Sequence, residues 1–174
     1  MRRLFIVRHA KAHPLAEQDD YERRLTDRGR ADAKRIAAAL VARKMLPDIL
    51  IHSGALRAKE TAEILAAEWP RDVELREELA LYNATQGALF ERSRALPNSL
   101  KRVGFVGHNP GLAELAVALA RLESHPDLRR GAVKFPTCAV AALDFAVDRW
   151  KDVERNSAML ALYLTPSELE TATD

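Results

Sequence analysis

The chain has a single cysteine, Cys138, among 174 residues. That excludes an internal disulfide framework and any multi-cysteine zinc site, and it points to a reducing compartment. No apolar run approaches the roughly 20 residues that a membrane helix needs. The basic start, Met1-Arg2-Arg3, leads into only four apolar residues, Leu4 to Val7, too few for the h-region of a signal peptide. Neither sign of charge dominates: 27 Lys plus Arg stand against 25 Asp plus Glu, a net charge of +2. So thin a margin gives no bulk-electrostatic case for a nucleic-acid or membrane partner. Repeats, low-complexity tracts and linkers are also missing. The expectation is a cytoplasmic protein, one domain over 1–174, with a monomer as the default state.

What is present is an ordinary globular composition, 48% apolar and 30% charged, long enough to bury one sizeable core. Strand-like and helix-like segments alternate. Leu4-Phe5-Ile6-Val7 is a continuous apolar run that suits a strand covered on both faces. Thr26-Asp27 reads as an N-cap with an acid in the first turn, and Ala33, Ile36, Ala37, Leu40 and Val41 follow at helical spacing until Leu46-Pro47. Asp48 to His52 is a second short strand. A helix from Arg57 to Trp69 carries Ala58, Ala62, Leu65 and Trp69 on one face and stops at Pro70. A weaker strand within Asp72 to Leu75 and a helix over Thr85 to Ala95 follow.

Arg102 to Gly107 is the fourth strand. Asn109 fits an N-cap with Pro110 at the first helical position, and Leu112, Leu115, Ala116, Leu119 and Leu122 form an apolar stripe. Glu123 to Pro136 reads as a long loop. Two late strands, Ala139 to Phe145 and Ala158 to Leu164, flank Asp148-Arg149-Trp150-Lys151 as an edge hairpin. The expected fold is therefore α/β: a three-layer sandwich with a mostly parallel central sheet, helices on both faces and an antiparallel edge hairpin.

In such a sheet ligands bind beyond the carboxyl ends of the strands. Arg8 and His9 follow the first strand, His52 and Ser53 the second with Arg57 close behind, and His108 and Asn109 the fourth. Guanidinium forks match phosphate oxygens bidentately, and helix N-termini favour anions. Histidine can be a neutral nucleophile or an anion-stabilising cation near pH 7. Two histidines with two arginines, without a carboxylate cluster or a Gly-Lys loop, point to phosphoryl transfer without a metal or other cofactor. Taken singly, each has a plainer reading: a salt-bridged Arg8 or His9, a solvated helix arginine at Arg57, a simple turn at His108-Asn109-Pro110-Gly111.

Leu4-Phe5-Ile6-Val7-Arg8-His9-Ala10-Lys11-Ala12 resembles the opening signature of the histidine phosphatase superfamily. Arg23-Arg24-Leu25-Thr26-Asp27-Arg28-Gly29 is similar to that family's entry to its first helix. Ser53 to Ala62 resembles its second arginine motif, and Gly107-His108-Asn109-Pro110-Gly111-Leu112 its second-histidine motif. The short length, and Ala10 where many members carry Gly, most resemble the SixA-type branch of phosphohistidine phosphatases. The resemblance implies that His9 accepts the phosphoryl group, while Arg8, Arg57, His108 and Asn109 grip its oxygens. Hydrolysis of the resulting phosphohistidine by water would complete the cycle. For attack, the reacting nitrogen of His9 must be unprotonated, with the other donating to a backbone carbonyl. His108 would be most useful protonated.

Larger members carry a carboxylate after the third strand that protonates an alkoxide leaving group. Here Leu81 or Asn83 falls at that place, with Glu77 and Glu78 as reserve candidates whose plainer reading is solvated charge. An alcohol leaving group needs a general acid worth roughly 10²–10⁴ in rate, whereas an imidazole or a carboxylate needs less. The expected substrate is therefore phosphohistidine or a comparably activated donor, on a phosphorylated protein or a small metabolite. The rivals are a general small-molecule phosphomonoesterase and a non-catalytic phosphate- or phosphoprotein-binding module. Elsewhere, His13 reads as loop, His52 as a strand-end polar residue, His125 as solvated and Cys138 as a small core residue. Tyr82 reads as packing. Arg23 is expected to pair with acids in Glu17 to Glu22 or to join the rim. Arg129, Arg130 and Lys134 could attract a phosphorylated protein.

Overall fold

The computed structural model describes residues 1–15, 19–121, 123 and 135–171. His125, Arg129, Arg130, Lys134 and Leu122 lie outside them. Six strands form one sheet: β1 (Arg2–Arg8), β2 (Ile49–His52), β3 (Glu74–Glu77), β4 (Arg102–Gly107), β5 (Val140–Phe145) and β6 (Met159–Leu164). Their order is β3-β2-β4-β1-β5-β6. The pairs β1–β4, β2–β4 and β2–β3 are parallel, and β1–β5 and β5–β6 are antiparallel. The helices are α1 (Asp27–Ala42), α2 (Leu56–Ala67), α3 (Gln86–Arg94), α4 (Gly111–Leu119) and α5 (Pro166–Thr171). No described helix is long and apolar enough to cross a membrane.

The continuous apolar strand runs are explained by burial on two sides. Along β1, Leu4 and Ile6 join a core with α3, α4 and Trp150, while Phe5 and Val7 join a second core with α1 and α2. Strand side chains alternate between faces, so one run of four serves both layers. The stripes at Ala33, Ile36, Ala37 and Leu40, at Ala58, Ala62 and Leu65, and at Leu112, Leu115, Ala116 and Leu119 are all buried. Thr26 caps α1 by accepting from the Gly29 amide at 3.0 Å.

The differences from expectation have local causes. Helix α1 stops at Ala42 rather than reaching Leu46, because Lys44 takes a left-handed φ of 54° and Met45 N–H closes on the Leu40 carbonyl at 3.0 Å. A lysine at that position hides the stop. Strand β3 lies at Glu74–Glu77, displaced from Asp72 to Leu75, because an edge strand mostly open to solvent needs no apolar pattern. Asn109 is not the N-cap of α4. Pro110 stands there, and the Asn109 amide donates instead to the Phe135 carbonyl at 2.8 Å. The segment between β5 and β6 contains the 3-10 turn Trp150–Asp152, with Trp150 fully buried and its indole N–H donating to the Leu100 carbonyl. Helix α5 was not anticipated, although Thr165 and Glu168 form a reciprocal capping box at its start.

Candidate active site

Register brings three strand ends together. Arg8 pairs with Gly107 and His52 with Val106, so β1, β4 and β2 leave the sheet side by side. His9, His108 and Ser53 are each the residue immediately after one of these strands. The turn from β2 into α2 passes through Gly54 at φ 84°, a conformation that disfavours any side chain, and a Cβ there would overlap the Tyr21 hydroxyl. That turn sets Arg57 in the first turn of α2, 4% exposed, reaching back to the strand ends.

The hydrogen bonds define the ring states. His9 Nδ1 donates to the Ala10 carbonyl at 2.8 Å, leaving the Nε2 lone pair to accept from Arg57 Nε at 3.3 Å. His108 Nδ1 accepts from Arg57 Nη2 at 3.2 Å, and its Nε2 meets Ser53 Oγ at 2.7 Å. The two imidazole centroids are 5.1 Å apart. Burial foremost, opposed by the Ala10 bond and aided by Arg57 and Arg8, pushes the His9 pKa down to about 4. Burial, then His9 and Arg57, push His108 down to about 3. With no anion bound, that shift favours the neutral ring, because burial penalises a further cation beside Arg57 and Arg8.

Asp20 is a group whose role the sequence did not single out. It lies in a 3-10 turn, Asp20–Glu22. Its Oδ1 accepts from Arg23 Nη1 at 2.8 Å, and its Oδ2 accepts from Tyr82 Oη at 2.7 Å and from Arg57 Nη2 at 2.9 Å. Those bonds, Arg23's first, hold the carboxyl well below the usual carboxylate range. Tyr82 does more than pack: its ring stands edge-on to His108 with centroids 5.3 Å apart, while the bond to Asp20 raises its own pKa. The i,i+3 spacing of Asp20 and Arg23 was the available signal, but nothing along the chain said which acid of that segment faces the strand ends.

Arg8, His9, Arg57, His108 and Asn109 all line one cleft of about 340 Å³, with Lys11, Arg23, Asn83 and Thr137 around its rim. Arg8 Nη1 and the Asn109 amide both donate to the Phe135 carbonyl. Glu77 and Glu78 are not part of the cleft wall. Glu78 is tied to Arg92, and Glu77 sits under Gly54. Leu81 is core and Asn83 lines the cleft. His13 is exposed, and His52 Nδ1 accepts from the Gly54 amide at 3.2 Å, supporting the β2–α2 turn. Cys138 is buried in the second core. No group of three or more His, Cys, Asp or Glu side chains among the described residues could hold a metal ion.

Thr61 joins the two halves of the site. Its hydroxyl donates to the Arg57 carbonyl at 2.7 Å and accepts from the Ala10 amide at 3.0 Å. Thr61→Val should strand the buried Ala10 N–H and cost about 1–3 kcal/mol, measured by denaturant unfolding. Acid should also weaken the fold. Both imidazoles have depressed pKa values, so from about 6.5 down to 4 the unfolded chain binds protons that the native state does not. Stability then falls as pH falls through that window. The midpoint of thermal unfolding should be lower at pH 5 than at pH 7.5, with a smaller difference in a His9→Asn/His108→Asn variant. An equal difference in that variant would assign the acid sensitivity elsewhere.

Similarity to known proteins follows the same residues. The family description "Histidine phosphatase superfamily (branch 1)" matches residues 4–102. An uncharacterized protein of Mycobacterium leprae is 30% identical over 165 residues, covering 92% of this chain and 99% of that one. A crystal structure from Agrobacterium tumefaciens, described under the name SixA, is 27% identical with a TM-score of 0.77 and covers 95% of this chain and 98% of its own. A mycobacterial glucosyl-3-phosphoglycerate phosphatase shares the fold at 19% identity and a TM-score of 0.64, over 93% of this chain and 98% of that one.

Proposed function

The chain belongs to the histidine phosphatase superfamily, in its SixA-type branch, and from that premise we propose that this phosphatase hydrolyses phosphohistidine, or a comparably activated phosphoryl donor, through a phospho-His9 intermediate. The observation that carries the reading is the orientation of His9. With Nδ1–H committed to the Ala10 carbonyl, Nε2 holds its lone pair toward the cleft, and a pKa near 4 keeps it unprotonated at neutral pH.

In the first step the Nε2 lone pair attacks phosphorus, and the bond to the leaving group breaks with its electron pair on that group. The contact from Arg57 Nε to His9 Nε2 yields as the guanidinium turns to a phosphoryl oxygen. Arg8 and Arg57 supply fixed positive charge to the equatorial oxygens, and a bound dianion would favour protonation of His108, offsetting its desolvation. In the second step water attacks phosphorus, the N–P bond breaks, and the electron pair returns to Nε2. Asn109 shapes the wall beside these oxygens.

The leaving group decides the substrate class. The carboxylate that faces the cleft among the described residues is Asp20, and it is ionised, so it cannot deliver the proton that a sugar alkoxide requires. Turnover of a phosphohistidine peptide should therefore exceed that of sugar phosphates by on the order of 10² or more in kcat/KM. The reverse order would favour a general small-molecule phosphomonoesterase. EDTA should leave turnover unchanged, and vanadate or tungstate should inhibit it. Activity lost to EDTA and restored by a divalent metal would overturn the metal-independent mechanism.

A further inference from the structure

A carboxylate is an unexpected neighbour for a phosphate dianion. Arg8, Lys11, Arg23 and Arg57 give the cleft its positive charge, and Asp20 stands among them, its side chain 35% exposed at the mouth. Charge repulsion alone would make it a handicap to substrate capture. Nor is it a proton donor, since three hydrogen bonds stabilise its anion.

We propose that Asp20 selects the leaving group: its carboxylate accepts the ring N–H of a protonated phosphohistidine imidazole and disfavours groups that depart as anions. The inference rests on the phosphohistidine reading above and names the residue that enforces it. Arg57 spans the distance between the two groups, with Nε 3.3 Å from His9 Nε2 and Nη2 2.9 Å from Asp20 Oδ2. A phosphoryl group held by that guanidinium against Nε2 expels its leaving atom on the side away from His9, toward the mouth that Asp20 borders. The P–N bond breaks with its electron pair on the departing ring nitrogen. The proton taken from solvent onto the other ring nitrogen stays there, so the ring leaves as neutral imidazole. Asp20 favours that protonated, reactive form of the bound substrate. An aryl or alkyl oxygen leaving as an anion instead builds negative charge beside a carboxylate.

The experiment compares kcat/KM for a phosphohistidine peptide and for p-nitrophenyl phosphate in the wild type, Asp20→Asn and Asp20→Ser. Loss of Asp20 as a partner of Arg57 affects both donors, so the ratio isolates the leaving group. We expect the ratio of phosphohistidine to aryl phosphate turnover to fall about tenfold or more in both variants, the equivalent of one unit of pKa. Thermal unfolding checks that each is folded, and two replacements at a partly exposed position guard against the failure of one. An unchanged ratio in folded variants of a wild type that hydrolyses phosphohistidine overturns the role of Asp20 and leaves the phosphohistidine reading standing. A wild type active on the aryl ester and inert toward phosphohistidine removes both.

Discussion

His9→Ala should abolish turnover and leave the protein folded. Removing a covalent nucleophile costs on the order of 10⁴-fold or more in rate, because no neighbouring group takes over the bond to phosphorus. His108, the other imidazole in the cleft, already has its Nδ1 lone pair engaged by Arg57 Nη2 and its Nε2 by Ser53. The fold should tolerate the change because His9 sits at the strand ends rather than in either core. A stability change within about 1 kcal/mol, or about 2–4 °C in Tm for a chain of this length, is expected. Rapid quench of the wild type with a labelled donor should trap an acid-labile label on His9. Label on any other residue would defeat the mechanism.

Arg57→Ala should have the next largest effect, and chiefly on phosphate capture. Arg57 is 4% exposed and contacts both histidines and Asp20. Truncating one partner of a buried charge-assisted contact costs about 2–5 kcal/mol, so the inhibition constant for tungstate should rise between tens- and thousands-fold. Arg57→Lys should recover only part of the loss, because an ammonium on a flexible stem cannot reproduce the fork that reaches His9, His108 and Asp20 at once. Unchanged tungstate affinity in Arg57→Ala would show that the anion is held elsewhere on the rim.

Much of the architecture was legible because burial leaves strong local marks. Strand β4 could be bounded to the residue, since both its faces are covered and its neighbours on either side are strands. The apolar stripes of α1, α2 and α4 point inward as their spacing demands. The misreadings fall where local signals are weak. Edge strand β3 carries mostly exposed side chains, α1 ends on a left-handed lysine in place of a glycine, and the Asn109 amide is drawn to a carbonyl 26 residues away.

The site divides in the same way. Residue type and order along the chain marked Arg8, His9, Arg57 and His108 as the candidates for handling phosphate, because each ends or follows a strand or opens a helix and their motifs resemble one family. Only the tertiary structure decided how they are arranged. Register between β1, β4 and β2 set the two imidazoles 5.1 Å apart, burial, then His9 and Arg57, pushed the His108 pKa down, and a short 3-10 turn carried Asp20 onto Arg57. Charge state and contact geometry depend on desolvation and on partners distant in the chain. Those are sums over a folded neighbourhood, which no local run of residues contains.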